Sequence, residues 1–446
     1  MGGVASLPLA SGYVPLLGHA PALVRDPLRF VASLPARGDL VRLRLGPRTV
    51  VMVCDPDLLR HVLVHDDTFD KGGPLFERLR DVLGNGLGTC PHSLHRRQRR
   101  LCRPAFDGER FPGYAAVMAD LADETLNSWR EGRVIDVQAE LTTLTARVAL
   151  ATMFSASLPA PVTRDMLRDL GDIMGGLVRQ VITPAPLARV PTPSARRYRR
   201  ARVRLRGSVE AIIAERRRDG SDHRDLLGSL MAARDLETAP PDGRVLSDEE
   251  LTDQVVTFFV TGADPIASTL AFALALLARA PGVERRLHEE VDRVRARGPV
   301  TFERLPSLEL AGRVITETLR LYPPGWLFTR TLTSDGEIGA VRLPAGTMLA
   351  YSPYLIHRRP GLFEAPDEFR PDRWQDPRAP LDAYLPFGAG ARMCIGERFA
   401  RTEAVLALAE ITARWRLLPV TDRPLRCALS TTLRPADPRM RLVERR

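Results

Sequence analysis

The stretch Phe387–Ala400, FGAGARMCIGERFA, holds one cysteine, Cys394, among glycines at 388, 390 and 396. Glycines let a backbone take φ > 0 and pass close to something flat and bulky. A helical pattern begins near Glu397. The thiol therefore stands just ahead of a helix N-terminus, where positive potential favours the thiolate. A thiolate presented singly, with no CxxC partner, can be the axial ligand of a haem iron. The plainer alternative is a buried structural cysteine in a Gly-rich loop.

Three further sets of residues could carry chemistry. Ser247–Glu250 (SDEE) is a capping box, and a strongly apolar run follows it as far as Ala280-Pro281-Gly282. At 1.5 Å per residue this predicts a helix roughly 50 Å long. Being apolar on nearly all faces, it must be buried. In its middle lie Thr261, Gly262, Asp264 and Pro265. Proline removes the N–H that the Thr261 carbonyl would accept from, at a typical cost of about 3 kcal/mol. A free carbonyl in a buried groove calls for water or a ligand. Next, Glu317 shares a helical stripe with Leu310, Val314 and Leu321. A charge on an apolar face needs a partner, and Arg320, three residues on, is one, with Arg373 in FRPDRW as the second. Finally, His95 and Arg99 are four apart on one helical face, within an arginine cluster that includes Arg96, Arg97, Arg100 and Arg103.

In this order, the E-x-x-R pair followed by F-G-x-G-x-R-x-C-x-G resembles the cytochrome P450 superfamily, and the likeness covers nearly the whole chain. The resemblance implies a mainly α fold, with a large helical region and a smaller β-rich region around a buried haem b, and one domain over residues 1–446. It implies that Cys394 is the metal ligand, in a loop shaped by Phe387, Gly388 and Gly396. His95, Arg99, Arg330 and Arg392 align with donors to the haem propionates, which as anions need such donors. Gly262 leaves room for haem and substrate, and Asp264, beside Thr261, matches the acid of the proton relay. Glu317, Arg320 and Arg373 match a structural ion network on the thiolate side, and His357 is a further candidate to approach the haem. The departure is Pro265, where the family usually has threonine. Proline has no hydroxyl to hand on a proton. An ordered water, held by the Thr261 carbonyl or hydroxyl, is expected to take that part; the alternative is a kink that merely shapes the pocket.

The likeness is greatest, in GGPLFERLRDVLGNGLGTCPHSLHRRQRRL and LRLYPPGWLFTR, to soluble bacterial sesquiterpene oxidases. It implies oxidation of an apolar terpenoid such as pentalenene, from methyl to alcohol to aldehyde, in the biosynthesis of an antibiotic such as pentalenolactone. A substrate without a polar handle calls for an apolar pocket. Placement along the chain offers Leu75, Phe76, Leu79, Met174, Leu177 and Val178 from the first half. From the second half it offers Phe258, Phe259, Trp326 and Leu327, with Thr432 on a turn over Leu429–Leu433. Two rivals stand beside this reading. A peroxide-dependent fatty-acid hydroxylase also carries proline at this position, but it places arginine before the proline where this chain has Asp264. A non-catalytic haem protein that binds a terpenoid is the other.

The elements that must position these residues are mostly helical. The alternation over Leu40–Val53, broken at Gly46-Pro47, predicts a hairpin. Phe69–Cys90 reads as an irregular Gly/Leu-rich loop, and Asp172–Ser194 as two helices with a mobile Pro-rich connection. Strand signals return in EIGAVRLPAGTMLAYSP.

The chain has 446 residues, with no linker or repeat to divide it. Lys+Arg 64 against Asp+Glu 54 gives a net charge of +10, yet the arginines are scattered among acids and no nucleic-acid motif occurs. An acidic protein partner, a ferredoxin served by its reductase, fits that charge better. Five cysteines, an odd number without zinc-like spacing, predict no disulfides and a reducing cytoplasm. The N-terminus reads as neither signal peptide nor membrane anchor. The expectation is a cytoplasmic monomer.

Overall fold

The predicted hairpin forms as strands Leu40–Leu45 and Arg48–Val53, paired antiparallel from Leu40↔Val53 to Leu45↔Arg48. The computed structural model describes residues 2–155, 158–182, 192–220, 223–235, 237 and 245–445. Contacts divide the chain into two compact units, one of Met1–Glu77, Pro91–Ser93 and Leu319–Cys394, the other of Arg78–Cys90, Leu94–Thr318 and Ile395–Arg446.

The first unit is built on a five-stranded sheet in the order Leu40–Leu45, Arg48–Val53, Met348–Tyr351, Phe328–Leu332, Phe69–Asp70. Arg48–Val53 pairs parallel with Met348–Tyr351, and the other pairings are antiparallel. Val50, Val51, Met52 and Val53 are all buried without alternation, as a strand covered on both faces requires. The expected strands between residues 336 and 351 are present, Gly336–Ile338 and Val341–Leu343 forming a separate two-stranded ribbon.

The second unit is mainly helical. Its axis is the helix Asp248–Leu277, opened by the predicted capping box: Glu250 N–H donates to Ser247 Oγ (3.2 Å) and Ser247 N–H to Glu250 Oε2 (2.9 Å). Its most apolar window is 83% buried, so composition that would span a bilayer here serves a protein core. The apolar core around it draws on Leu150, Phe154, Leu205, Val209, Val255 and Phe259. Two small antiparallel sheets complete the unit: Val134–Asp136, Arg439–Glu444 and Trp415–Pro419 in one, Cys427–Leu429 and Leu433–Pro435 in the other. Leu429–Leu433 thus closes a hairpin, as a turn. The N-terminus of Glu309–Leu321 is capped from another helix, Glu290 accepting from Leu310 N–H (2.7 Å) and Ala311 N–H (2.9 Å). A carboxylate is favourable there because the first amides of a helix lack partners.

Two expectations need adjustment. Phe69–Cys90 is not irregular throughout, because Pro74–Leu83 is a helix. Pro74 stands at its start, and Phe76, Leu79 and Leu83 recur at three- and four-residue spacing; the flanking glycines had masked this period. After it, Asn85 N–H donates to Asp253 (2.7 Å) and Leu87 N–H to Gln254 (2.9 Å), stitching the glycine-rich turn to the long helix. The two helices read around Asp172–Ser194 are Ala160–Ile182 and Pro193–Asp219. Their Pro-rich connection lies outside the described residues, as do the side chains of Val178, Val181 and Ile182.

Candidate functional site

In the first unit, the loop that carries Cys394 is fixed at both ends. Gly388 N–H donates to Leu385 O (3.1 Å), Met393 N–H to Gly390 O (3.1 Å) and Cys394 N–H to Phe387 O (2.9 Å). Gly388 and Gly390 both have positive φ, 72° and 68°. A Cβ on Gly390 would fall 2.3 Å from Leu63 O, whereas one on Gly388 would meet nothing within 4 Å. Gly390→Ala is therefore expected to add a clash to the left-handed strain, costing about 2–3 kcal/mol, against about 1 kcal/mol for Gly388→Ala. Unfolding midpoints of the two variants check the difference; equal losses would count against the close approach.

None of the five cysteines is in a disulfide. Cys54, Cys90 and Cys102 are buried, and burial pushes the Cys54 thiol up to about 12. Cys394 is the exposed one, two residues before Gly396, which occupies the N-cap of the helix Glu397–Arg414. The bland reading, a buried structural thiol, does not describe it.

Arg392, in the same loop, has an engagement the sequence did not reveal. Its Nε donates to Asp66 Oδ2 (2.8 Å) and its Nη2 to Asp70 Oδ1 (2.5 Å). His92 closes the cluster, its Nδ1 3.1 Å from Asp66 and its N–H donating to Asp70 (2.8 Å). Burial alone would raise the Asp66 carboxyl, yet hydrogen bonds from His92 and Arg392 outweigh it and hold it below the usual carboxylate range. The thiol loop is thus tied to strand Phe69–Asp70 and to the turn before it. HDDTFD offers acids in sequence, but nothing in sequence marks a partner more than 300 residues away.

Arg330, on strand Phe328–Leu332, is buried with its guanidinium 5.5 Å from the Tyr351 ring. Its Nη1 donates to Thr329 O (3.2 Å), while its Nε has no hydrogen-bond partner among the described residues. A buried charged donor left unmade is costly, so this nitrogen could accommodate an anionic partner.

Arg320 is fully buried and clamps one segment, donating to the carbonyls of His357 (3.0 Å), Pro366 (2.6 Å) and Glu368 (3.1 Å). Arg373 holds the same stretch through Glu364 O (2.7 Å) and Ala365 O (3.2 Å). Both arginines are therefore carbonyl clamps. Glu317, one turn before Arg320 on Glu309–Leu321, is equally buried, and Leu310, Val314 and Leu321 line the predicted apolar stripe.

His357 is a correction. Its Nδ1 donates to Arg320 O (2.9 Å), its Nε2 accepts from Leu385 N–H (2.8 Å), and its ring stacks on Tyr384. With both nitrogens spent on backbone it has no donor left for a cofactor. Burial, with smaller repulsion from Arg320 and Arg358, lowers its pKa to about 3. An unfolded chain binds a proton there below about 6.5, while the folded one stays neutral until about 3. Stability is therefore lost as pH falls through this window, by about 1.4 kcal/mol per pH unit from this one group. His357→Gln is expected to flatten the acid limb by about that slope between pH 6 and 4 in denaturant titrations; an unchanged slope would contradict the assignment.

In the second unit the long helix is enclosed except along one line of residues. From Leu251 to Leu277 every residue is buried except Phe258, Thr261, Gly262 and Pro265. Their spacing of i, i+3, i+4 and i+7 makes one uncovered stripe on an otherwise enclosed helix. A Cβ at Gly262 would meet nothing within 4 Å. The helix runs through Pro265 without ending. Thr261 Oγ1 donates back to Thr257 O (2.7 Å), so its hydroxyl proton is engaged and its oxygen remains an acceptor. The side chain of Phe258 meets Phe106 edge to face, at 5.3 Å.

Asp264 is turned away from this stripe and buried. Oδ1 accepts from Arg434 Nη2 (2.6 Å), and Oδ2 accepts from Thr432 Oγ1 (2.7 Å) and Thr431 Oγ1 (3.2 Å). Arg434 and Thr431 were missed by the sequence reading. Their signal was the buried acid itself, which, like Glu317, demanded a cation. Thr432, expected as pocket lining, has its hydroxyl committed to this carboxylate.

The remaining candidates are described within their own units. His95 is buried and Arg99 half-buried, one turn apart on His92–Cys102. Half of the neighbouring arginine cluster is internal, Arg97 pairing with Glu250 (2.5 Å) and Arg100 with Asp235 (3.1 Å) and Glu237 (3.0 Å). Arg96 and Arg103 stay exposed. Leu177 and Phe259 belong to the second unit's core, and Leu79, Met174 and Phe258 pack against its edge. Trp326 and Leu327 are half-buried against the first unit's core. Phe76 is buried beside Leu75, with Lys71 Nζ 5.8 Å from its ring.

The profile of the family described as Cytochrome P450 matches residues 8–440. Pentalenene oxygenase of Streptomyces avermitilis is 42% identical over 440 residues, covering 98% of this chain and 97% of that protein. Cyclooctat-9-en-7-ol 5-monooxygenase of Streptomyces melanosporofaciens is 45% identical, covering 93% of this chain and 90% of that protein. Cyclooctatin synthase of the same organism is 44% identical, covering 94% and 91%. Among solved structures, the haem domain of cytochrome P450DA superposes with a TM-score of 0.88 at 29% identity, covering 99% of this chain and 98% of that one. The mainly helical fold with its smaller sheet-rich part agrees with that neighbour. The chain belongs to the cytochrome P450 family, whose resident cofactor is haem b.

Proposed function

We propose that this chain, as a single P450 domain, is a terpenoid monooxygenase and that its substrate is an apolar cyclic terpene, a sesquiterpene such as pentalenene. The observation that carries the reading is the uncovered stripe Phe258–Thr261–Gly262–Pro265, which offers a ligand apolar surface and one short polar edge. The similarity of 42–45% to enzymes named for pentalenene and cyclooctat-9-en-7-ol supports it.

Haem bound through a thiolate supplies the activation of O2 that such an oxidation requires. Cys394 is the proposed source of that thiolate, and its exposure at the head of a helix, in a loop that glycines and Arg392 hold in shape, supports the reading. Arg330 Nε is a buried donor suited to a propionate, and His95 and Arg99 are further proposed donors. Gly262 leaves the helix without a side chain where a flat cofactor and a bulky hydrocarbon would approach. Pro265 brings no hydroxyl to this face, which leaves the Thr261 oxygen as the acceptor available to orient a water. Asp264, held by Arg434, fixes the Thr431–Thr432 turn beside the helix.

Overall, one oxygen atom enters a C–H bond and the other leaves as water, with two protons and two electrons consumed. A ferredoxin and its reductase are the proposed electron source, with Arg96 and Arg103 as exposed basic residues for an acidic donor. Five cysteines outside any disulfide fit a reducing cytoplasm.

The test is turnover of pentalenene and, separately, of cyclooctat-9-en-7-ol by the holoenzyme with a surrogate ferredoxin system, with products identified by mass spectrometry. Pentalenene gaining oxygen is the expected result. Product from the second substrate alone would move the assignment to the cyclooctatin type. Product with peroxide and no ferredoxin would favour a peroxygenase, and no product from either would sink the catalytic reading.

A further inference from the structure

Residues 11 to 17, SGYVPLL, are all exposed and form a turn in the first unit. Leu16 is 93% exposed and stands at φ 68°, a left-handed conformation uncommon for a bulky side chain. Leu17, Tyr13 and Val14 are exposed beside it, and Val24, on the following helix Ala20–Arg25, is 83% exposed. Scattered single hydrophobics are ordinary at a surface, but a contiguous tip of this kind marks an interaction site.

The base of the turn is rigid. Val14 and Gly18 exchange backbone hydrogen bonds (2.9 and 2.7 Å). Gly18, at φ 65°, lies so close to Arg44 that a Cβ would be 2.1 Å from its carbonyl oxygen. His19 is fully buried beneath, accepting from Arg44 N–H at Nδ1 (2.9 Å) and donating from Nε2 to Ala10 O (3.0 Å). Leu16 and Leu17 thus stand outward on a hydrogen-bonded base.

The surroundings are basic. Arg25 ends the helix that carries Val24, Arg37 reaches the Ser11 hydroxyl, and exposed Arg48 lies on the hairpin tip, where Gly46 N–H donates to Leu17 O (3.3 Å). The nearby acids are used locally: Asp26 caps the helix Pro27–Ala32, and Asp39 pairs with Arg359 (3.1 Å).

We propose that this turn is a docking tip for an anionic lipid surface, Tyr13, Val14, Leu16 and Leu17 entering the acyl boundary while Arg25, Arg37 and Arg48 meet the headgroups. A narrow convex tip suits a soft apolar phase better than a flat protein face, and apolar insertion with flanking cations is the chemistry of peripheral binding. The proposal goes beyond the terpene reading and stands without it, although a hydrocarbon substrate that partitions into lipid would give such docking a use.

The test is flotation of the full-length holoprotein with vesicles of phosphatidylglycerol mixed with phosphatidylcholine, and with phosphatidylcholine alone. Binding to the anionic vesicles, several-fold weaker to the neutral ones and about tenfold weaker for Leu16→Asp/Leu17→Asp, is the expected result. Arg25→Glu/Arg48→Glu should weaken only the anionic arm. The haem spectrum and melting temperature of each variant show that it is folded. Failure of the parent protein to float, or equal flotation of the aspartate variant, would overturn the proposal. So would a dimer that these substitutions dissociate while the parent does not float, since the occupant would then be a second copy. Flotation uses neither substrate nor electrons, so its failure leaves the terpene test untouched.

Discussion

Cys394→Ala is expected to fold, to take up haem weakly or not at all, and to lose turnover to background. This variant differs from an ordinary core substitution. Cys394 is exposed, so removing its sulfur opens no cavity and costs little in packing. What it removes is the one thiol of the five in a position to bind: Cys54, Cys90 and Cys102 are enclosed, and Cys427 sits in a strand of the second unit. The melting temperature of the apoprotein, compared with the parent apoprotein, should move by no more than a few degrees. Cys54→Ala should do the reverse, lowering stability while leaving activity per folded molecule unchanged. Full turnover by Cys394→Ala would contradict the assignment.

The second large effect concerns Asp264. Arg434→Leu leaves a buried carboxylate with two hydroxyl donors and no cation. Breaking one side of such a pair costs about 3–5 kcal/mol, and the partial exposure of Arg434 places the expected loss near the lower end. Asp264→Asn should cost less, because a neutral amide can keep the two threonine contacts. The double variant should recover part of the loss, giving a coupling of about 2 kcal/mol. Unfolding midpoints of the four proteins measure it. Additive losses would mean that Asp264 and Arg434 do not act together. The same variants bear on catalysis: a carboxylate held this way is first of all a brace for the Thr431–Thr432 turn, and turnover per folded molecule in Asp264→Asn shows whether it does more.

How much of this was legible in the sequence depended on whether the cause was local. The loop around Cys394, the capping box at Ser247 and the stripe through Glu317 are short-range patterns whose physics is complete within a few residues, and each appears as expected. The hairpin at Gly46-Pro47 is of the same kind. What escaped were partners fixed only by the folded chain. Asp66 and Asp70 meet Arg392 across more than 300 residues, and Arg434 meets Asp264 across 170. The need for a cation near Asp264 could be argued from burial alone, but its identity could not. Helix Pro74–Leu83 was lost to its glycine-rich flanks, where breaker residues weighed more than a ten-residue apolar period. His357 was misplaced because a histidine near a cofactor motif invites a functional role, while its real constraint, two backbone groups in need of partners, is invisible in sequence.

The central claim is that one cysteine sulfur of this chain bonds a haem iron. The most direct measurement is the absorption spectrum of the reduced holoprotein under carbon monoxide. The expected result is the long-wavelength Soret band given by a thiolate ligand, absent from Cys394→Ala under the same conditions. A parent spectrum showing only the shorter-wavelength band of a haem with a neutral ligand, or a thiolate band that survives in Cys394→Ala, would contradict it.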